Sequence, residues 1–228
     1  MPSDPRCGMG EGVALVSTTT AVATVLDGKY ASLGEVPRRV LRRLSVFAGE
    51  FTLEAARAVV ASTGLHRSVV SAAIAALHAN ALLEADPGES AAVRYLLNGS
   101  TRAFALGKLV RHGERDLVAR NHALYLQCVL EYAEIEFDRG EPGPWMEHYA
   151  CLLDDVRAAL EWAFSPSGDP HIGVDLTMAA MPLWLLSSQS DELQCRIGRA
   201  LKSEAAVSHS GRQMRLRTAA RLACMSDF

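Results

Sequence analysis

The segment Val40–Ala61, VLRRLSVFAGEFTLEAARAVVA, decides the fold because its apolar spacing describes two short helices joined by a turn. The apolar residues of the first helix share one face of a 3.6-residue period, and they are Val40, Leu41, Leu44 and Phe47. Gly49 is suited to end that helix, and Thr52 stands where an N-cap for the next helix belongs. The second inner face comprises Leu53, Ala56, Val59 and Val60. The segment therefore predicts a helix–turn–helix.

Neighbouring segments extend this unit into a winged-helix pattern. The predicted helices are Glu35–Ala48, Thr52–Ala61, His66–Asn80 and Gly99–His112, the last with Ser100 or Thr101 as its cap. Two short β-forming stretches, Ala81–Ala85 and Val93–Leu97, flank the turn-forming residues 86–90. The residues of the third helix expected to face inward are Val69, Val70, Ala73, Ile74 and Leu77. Three helices followed by a hairpin predict a winged-helix domain.

Only helical patterns follow residue 113. The predicted helices are Arg115–Phe137, Trp145–Phe164, Ile172–Ser187, Asp191–Ser208 and Arg212–Met225. Helix pairs of this length favour α-solenoid packing of the tetratricopeptide-like kind, although the sequence shows no clean 34-residue repeat. His122 is expected to face the helix bundle as a hydrogen-bonded structural histidine. The predicted fold class is mainly α: a winged helix-turn-helix with a small β-hairpin wing, followed by an α-helical repeat region.

The composition agrees with a mainly α protein of the cytoplasm. Of the 228 residues 49% are hydrophobic and only 6% aromatic, and the net charge of −3 creates no field that attracts nucleic acid or an anionic membrane. No apolar run is long enough to span a bilayer. Five widely spaced cysteines without a CxxC pair predict reduced thiols. Residues 1–34 are predicted to be poorly structured or to hold a weak helix, Ala21–Leu33, interrupted at Gly28.

Motifs of catalysis and of cofactor binding are missing from the sequence. It contains no GxSxG, no HExxH and no GxxxxGK[ST] phosphate-binding loop. The glycine-rich segment Gly8–Gly12 lacks the lysine and the serine or threonine that hold phosphate and magnesium. Histidines and cysteines are scattered, so the sequence predicts neither a metal site nor a cofactor site. We therefore predict that the chain is not an enzyme.

The candidate contact residues are five arginines: Arg38, Arg39, Arg42, Arg43 and Arg67. The first four crowd one helix, where they favour contact with phosphates or an acidic partner, or else a solvated face paired with glutamates. Arg67 lies in the third helix, whose other residues are mostly alanine and valine. A helix that reads a DNA groove normally exposes Arg, Lys, Asn or Gln. Packing against another protein surface is therefore favoured over DNA binding.

Four stretches occur in a characteristic order: VLRRLSVFAGEFTLEAA at 40–56, RYLLNGSTRAFALGKLVRHGE at 94–114, ARNHALYL at 119–126 and LDDVRAALEWAF at 153–164. Together they resemble bacterial STAND-type regulatory ATPases, in which a winged helix and a tetratricopeptide-like region follow a nucleotide-binding module. The segment Ala23–Leu33 is similar to the helix that precedes the winged helix in that family, but Gly28 and Lys29 replace its usual Trp-Ser pair.

The resemblance implies a regulatory chain without catalytic activity that acts through interdomain or protein–protein contacts. Its expected partner is a protein or the nucleotide-binding module that this sequence does not contain, and DNA is the alternative. The predicted domains are residues 35–112 for the winged helix and residues 113–228 for an incomplete helical repeat. We expect no contact with membranes, and self-association through C-terminal helices that lack a capping repeat. The sequence leaves open whether the chain is a natural short protein, which signal it senses and whether it contacts DNA.

Overall fold

Helices dominate the computed structural model, which describes residues 11–61, 64–87, 93–137 and 141–203. The helices of the first part are α1 (Glu11–Ser32), α2 (Glu35–Leu44), α3 (Leu53–Ala61), α4 (Arg67–Ala79) and α5 (Gly99–Arg111). Three short strands accompany them: β1 (Phe51–Thr52), β2 (Glu84–Asp86) and β3 (Arg94–Leu96). The helices of the second part are α6 (Arg115–Phe137), α7 (Pro142–Tyr149), α8 (Leu153–Ala163), α9 (Pro170–Ala179), α10 (Met181–Leu186) and α11 (Ser190–Lys202). The predicted mainly α fold with a small β wing is confirmed, whereas the predicted helix Arg212–Met225 lies outside the described residues.

The three strands form one antiparallel sheet in the order β1–β3–β2. Strands β2 and β3 make the predicted hairpin, with Ala85 opposite Tyr95, and β1 adds to the other side of β3, with Phe51 opposite the same tyrosine. Strand β1 was not predicted, because its two residues directly precede α3 and follow the pattern of a helix cap. Thr52 serves both roles, since its Oγ1 accepts a hydrogen bond from the N–H of Ala55 at 3.1 Å. The predicted cap is therefore confirmed.

The first hydrophobic core lies among α2, α3, α4, α5 and the sheet. All four residues predicted for the inner face of α2 are buried: Val40, Leu41, Leu44 and Phe47. Helix α3 buries Ala55, Ala56, Val59 and Val60, and helix α4 buries Val70, Ala73, Ile74 and Leu77. Val69 was predicted to face inward but is 36% exposed, because it lies at the edge of the buried stripe in the first turn of α4. Leu53 is only partly buried.

Helix α1 continues through Gly28, where the sequence predicted an interruption. Leu26 of this helix and Leu33, just after its end, are buried in the first core. Lys29 Nζ donates to the carbonyl oxygen of Asn80 at 3.2 Å and to the next carbonyl oxygen at 3.3 Å, at the C-terminal end of α4. These tertiary contacts explain why a helix forms despite the low helix propensity of glycine. Of the two alternatives that the sequence left for this segment, a poorly structured chain and a weak helix, the structure has the helix, from Glu11 to Ser32.

Several other helix boundaries differ from the predictions, and α2 ends at Leu44 rather than at Ala48, so Gly49 is not its terminator. The N-cap of α5 is Asn98, whose Oδ1 accepts from the N–H of Thr101 at 2.9 Å, whereas the sequence predicted a cap further along the chain. Each of the predicted helices Trp145–Phe164 and Ile172–Ser187 is divided into two. A 3₁₀ turn separates α7 from α8, and Pro182 in the first turn of α10 separates it from α9. Proline has no N–H with which to continue the preceding helix, so the division falls there.

The second hydrophobic core lies among α6 to α11, with α6 packed against α8 and α9. The three tryptophans belong to this core. Trp145 Nε1 donates to the carbonyl oxygen of Ala133 at 2.7 Å, and Trp162 Nε1 donates to Asp116 Oδ1 at 3.2 Å. Trp184 is fully buried. Helix α6, which has the predicted bounds, contributes residues to both cores and connects them.

Candidate nucleic-acid and partner interface

Helix α4 corresponds to the helix that a DNA-binding winged helix inserts into the major groove. Side chains fix both of its ends. At the N-terminus His66 Nδ1 accepts from the N–H of Ser68 at 3.3 Å, and at the C-terminus Asn80 Nδ2 donates to the carbonyl oxygen of Ala76 at 2.8 Å. Asn80 is the C-cap residue of α4. Because one face of α4 packs against α2 and α3, the opposite face points outward.

This outward face carries little charge. Its exposed residues are Arg67, Ser68, Val69, Ala72, Ala75, His78 and Ala79. Ser71, at the margin of the face, accepts a hydrogen bond from Arg57 Nε at 2.9 Å. Side chains that read base edges are mostly Arg, Lys, Asn and Gln, and α4 presents one arginine of that set on this face. The outward face of α4 is therefore poor in the side chains that read base edges.

The wing beside α4 is acidic over its described residues. Glu84 and Asp86 of β2 are exposed. Arg94 of β3 lies opposite Asp86 and directs Nη1 to Cys151 Sγ, 3.1 Å away in the second part of the chain. Between the start of α4 and the end of β2 the sequence contains one arginine, Arg67, and two carboxylates. With neutral histidines, this stretch has a formal charge of −1. A DNA phosphate backbone is attracted by an excess of Lys and Arg, and this surface has none.

Two predicted contact residues, Arg42 and Arg43, are buried and share one carboxylate. Arg42 Nη2 donates to Glu114 Oε1 at 2.7 Å, and Arg43 Nε donates to Glu114 Oε2 at 2.6 Å. Arg42 Nη1 also donates to Tyr30 Oη at 2.8 Å. The two arginines are only 7% and 6% exposed. The geometry favours pairing with glutamate, one of the two alternatives that the sequence left open, over contact with an external phosphate.

These contacts shift the pKa values of the paired groups. Burial is the largest influence on Arg42 and lowers its pKa, but the hydrogen bonds to Glu114 and Tyr30 outweigh burial and leave that pKa raised. Burial is also the largest influence on Glu114 and raises its pKa, yet the hydrogen bonds from Arg42 and Arg43 hold the pKa below its ordinary value. Arg42 and Glu114 therefore stay charged at neutral pH, and Glu114 ties α2 to the start of α6.

Arg38 and Arg39 also have internal partners. Arg38 Nε donates to the carbonyl oxygen of Tyr30 at 2.8 Å, and its Nη2 donates to the next carbonyl oxygen, so Arg38 caps the C-terminal end of α1. Arg39 forms a surface ion pair with Glu35 at 2.8 Å, one helical turn away. Among the five candidate arginines, Arg67 alone has no ion pair or hydrogen-bonded guanidinium within the described part of the chain. The five arginines do not form one basic surface.

A buried polar contact that the sequence did not single out joins the two cores. Asp155 of α8 is 1% exposed, and its Oδ1 accepts from the N–H of Ala48 at 2.6 Å. His122 Nε2 lies 3.3 Å from the same oxygen, and the His122 ring meets Phe47 edge-on at 4.9 Å between centroids. Burial, followed by the negative charge of Asp155, raises the pKa of Tyr125. Asp155 therefore fixes the loop after α2 against the second core.

His122 faces the interior as predicted, but the expectation that it is hydrogen-bonded is wrong. Neither ring nitrogen makes a hydrogen bond with the described residues, although Nε2 lies 3.3 Å from Asp155 Oδ1. Helical periodicity gives a signal that could have found Asp155. It precedes Ala159 by one turn and Trp162 by two, and both of those residues are buried.

The described residues show no further arrangement of chemical groups that points to catalysis. No three or more His, Cys, Asp or Glu residues among them are placed to hold a metal ion. Cys128, Cys151 and Cys195 are free thiols. None of the helices described is both long enough and apolar enough to cross a bilayer.

Three curated mycobacterial proteins are similar to this chain, each 30% identical over 162 residues that cover 70% of this chain and 18% of the relative. They are named "Putative HTH-type transcriptional regulator Rv0890c" and "Putative HTH-type transcriptional regulator MT0914", from two strains of Mycobacterium tuberculosis, and "Putative HTH-type transcriptional regulator Mb0914c", from Mycobacterium bovis. The chain thus spans less than a fifth of the length of these relatives. No solved structure matches the chain.

A family profile described as a winged helix-turn-helix domain matches residues 33–110. That range begins just before α2 and ends in the last turn of α5, so it includes the three-stranded sheet and most of the first core. The profile, the order of helices and the antiparallel wing agree. Residues 33–110 of this chain form a winged helix-turn-helix domain.

Proposed function

We infer that this chain is a non-catalytic regulatory part of a transcriptional-regulator-like protein, and that its winged helix acts through interdomain or protein–protein contacts. The observation that carries this conclusion is the outward face of α4, which exposes three alanines and a single arginine and is followed in the chain by an acidic strand. Short side chains allow another folded surface to approach closely. Three of the four arginines of α2 pair with carboxylates within the chain, two of them with Glu114.

The relatives support a regulatory role, since their names describe transcriptional regulators. This chain corresponds to 18% of their length, which leaves room for other modules in such proteins. The resemblance to STAND-type regulatory ATPases makes a nucleotide-binding module the expected partner of α4. A regulator of this kind would act in the cytoplasm.

The helices after α5 would serve as the sensing surface. They enclose a core separate from that of the winged helix, which supports a division into a winged-helix domain at 35–112 and a helical domain at 113–228. The packing of α6 against α8 and α9, and of α9 against α11, supports helix pairs of the tetratricopeptide-like kind. A ligand or protein bound by these helices would reach the winged helix through α6 and Asp155.

The experiment adds this chain in trans to the M. tuberculosis relative from which the matched region is deleted. Analytical ultracentrifugation is expected to show a complex. Ala72→Glu, on the outward face of α4, is expected to weaken the complex at least about tenfold. Ala103→Glu, at an exposed alanine of α5, is the matched control and is expected to leave it intact. The proposal would be contradicted if no complex forms, or if Ala72→Glu and Ala103→Glu weaken the complex equally.

DNA binding is the second candidate, and two observations favour it. Residues 33–110 match a winged helix-turn-helix profile, and Arg67 is exposed at the first position of α4. In this family of folds the N-terminal residues of the recognition helix meet the base edges. Direct binding by this chain would then depend on Arg67 more than on the four arginines of α2.

Fluorescence anisotropy with a labelled duplex, at about 50 and about 200 mM salt, separates the two candidates. Salt-dependent binding that is lost in Arg67→Ala and kept in Arg111→Ala, an exposed arginine of α5, would establish DNA contact. The absence of binding at the lower salt concentration would remove this candidate. Arg42→Ala is unsuitable for this test because it breaks the buried pair with Glu114.

A further inference from the structure

Helix α6 exposes an apolar line along the side that faces away from both cores. Its members are Leu117 (53% exposed), Leu124 (37%), Cys128 (exposed) and Ile135 (48%). Because a helix turns by about 100° per residue, these four side chains lie within about 20° of one line. The line extends over about 27 Å at 1.5 Å per residue. No element within the described part of the chain covers it.

The spacing of this line is symmetrical. Successive members are separated by seven, four and seven residues, so the pattern reads the same in both directions along the helix. An antiparallel copy of α6 therefore places Leu117 opposite Ile135 of the second copy, and Leu124 opposite Cys128 of the second copy. A two-fold axis repeats each contact, which is the geometry of a closed homodimer.

Charges beside the line select the same arrangement. Arg120 and Glu131 lie on one flank of the line, and both are exposed. Antiparallel pairing brings Arg120 next to Glu131 of the second copy, whereas parallel pairing would place these two residues on opposite flanks of the helix pair. Gln127 Nε2 donates to Glu131 Oε1 at 2.8 Å and holds that carboxylate on this flank. Arg120 has no ion pair within the described residues.

We propose that two copies of this chain associate through antiparallel α6 helices. This surface is separate from the outward face of α4 on which the proposed function rests. It is also separate from the C-terminal helices for which the sequence predicted self-association. One helix pair buries less area than a standard protein interface, so the dissociation constant is expected to be micromolar.

Sedimentation velocity of the full chain from about 5 to about 500 µM measures this association, because the range brackets a weak interface. The wild-type chain is expected to shift from monomer to dimer across it. Leu124→Glu is expected to raise the dissociation constant at least about tenfold, since it places two charges in the apolar line. The matched control is Val25→Glu at an exposed valine of α1, which should leave the constant unchanged.

A charge exchange tests the orientation. Arg120→Glu and Glu131→Arg are each expected to weaken the dimer about three- to tenfold, and the double variant is expected to restore most of the loss. Far-ultraviolet circular dichroism verifies that each variant keeps its helix content. A chain that stays monomeric at every concentration would overturn the proposal. A dimer that Leu124→Glu leaves intact, or one that the double exchange fails to restore, would overturn it as well.

Discussion

Replacing Glu114 with glutamine removes a negative charge that two nearly buried guanidinium groups share. The Glu114 oxygens lie 2.7 Å from Arg42 Nη2 and 2.6 Å from Arg43 Nε. The exposed fractions of the three side chains are 18% for the glutamate, 9% for Arg42 and 8% for Arg43. The variant therefore leaves two positive charges in a poorly hydrated site without their counter-ion.

Breaking a buried ion pair by removal of one partner typically costs about 3–5 kcal/mol. Two features reduce that cost here. Glutamine keeps one acceptor oxygen, and Arg42 and Arg43 keep their hydrogen bonds to Tyr30 Oη and to the carbonyl oxygen of Val60. We expect Glu114→Gln to lower the free energy of unfolding by about 2–4 kcal/mol. The matched variant Glu35→Gln breaks only the surface pair with Arg39 and should cost less than about 0.5 kcal/mol.

Urea unfolding followed by circular dichroism measures both variants at pH 7, with an unchanged slope as the sign that the folded state is preserved. The pH dependence supplies a second readout. The folded pKa of Glu114 lies below its ordinary value of 4.5, so the unfolded chain binds more protons between those two values. The stability that Glu114 contributes is complete above pH 4.5 and is lost as the pH falls through the folded pKa. The difference in the free energy of unfolding between wild type and Glu114→Gln should become smaller in that pH range. A difference below about 1 kcal/mol at pH 7 would refute the reasoning.

Other variants test the junction and two glycines. Asp155→Ala removes the acceptor for the N–H of Ala48 and should cost about 2–3 kcal/mol in urea unfolding, whereas Asp155→Asn should recover at least half of that loss. Gly168→Ala should lower stability by more than about 2 kcal/mol, because the new Cβ would lie 2.0 Å from the carbonyl oxygen of Trp162. Gly28→Ala meets no atom within 4 Å and should raise the stability by about 0.5–1 kcal/mol in thermal unfolding. The prediction requires that Gly168→Ala and Gly28→Ala change the free energy of unfolding in opposite directions.

Local signals account for the parts of the fold that the sequence predicted well. Helix α6 has the predicted bounds, and α4 differs by one residue at each end, because caps and periodicity depend on neighbours along the chain. Strand β1 was not predicted because it depends on a contact that is distant along the chain. Two residues carry no periodicity, and their strand geometry depends on β3, which lies more than forty residues later in the sequence.

The candidate site was harder to predict than the fold because long-range contacts decide it. The spacing of Arg42 and Arg43 is compatible with a solvated basic face, yet both are buried by a glutamate that is 72 and 71 residues away, respectively. Asp155 meets the N–H of Ala48 across 107 residues, and its own neighbourhood in the sequence resembles an ordinary amphipathic helix. Sequence pattern gave the identity of the charged residues but not the direction in which each side chain points.

The two proposals constrain each other through α6, which connects the winged helix to the second core. If two copies pair through antiparallel α6 helices, the same two-fold axis relates their α4 helices. Any DNA site contacted by both α4 helices must then be an inverted repeat, because protein symmetry and operator symmetry match. An anisotropy titration with an inverted-repeat duplex and a single half-site of equal length distinguishes the cases. Equal affinity for both duplexes, together with a dimer in solution, would leave two explanations. Either α4 contacts a protein rather than DNA, or α4 binds DNA one copy at a time.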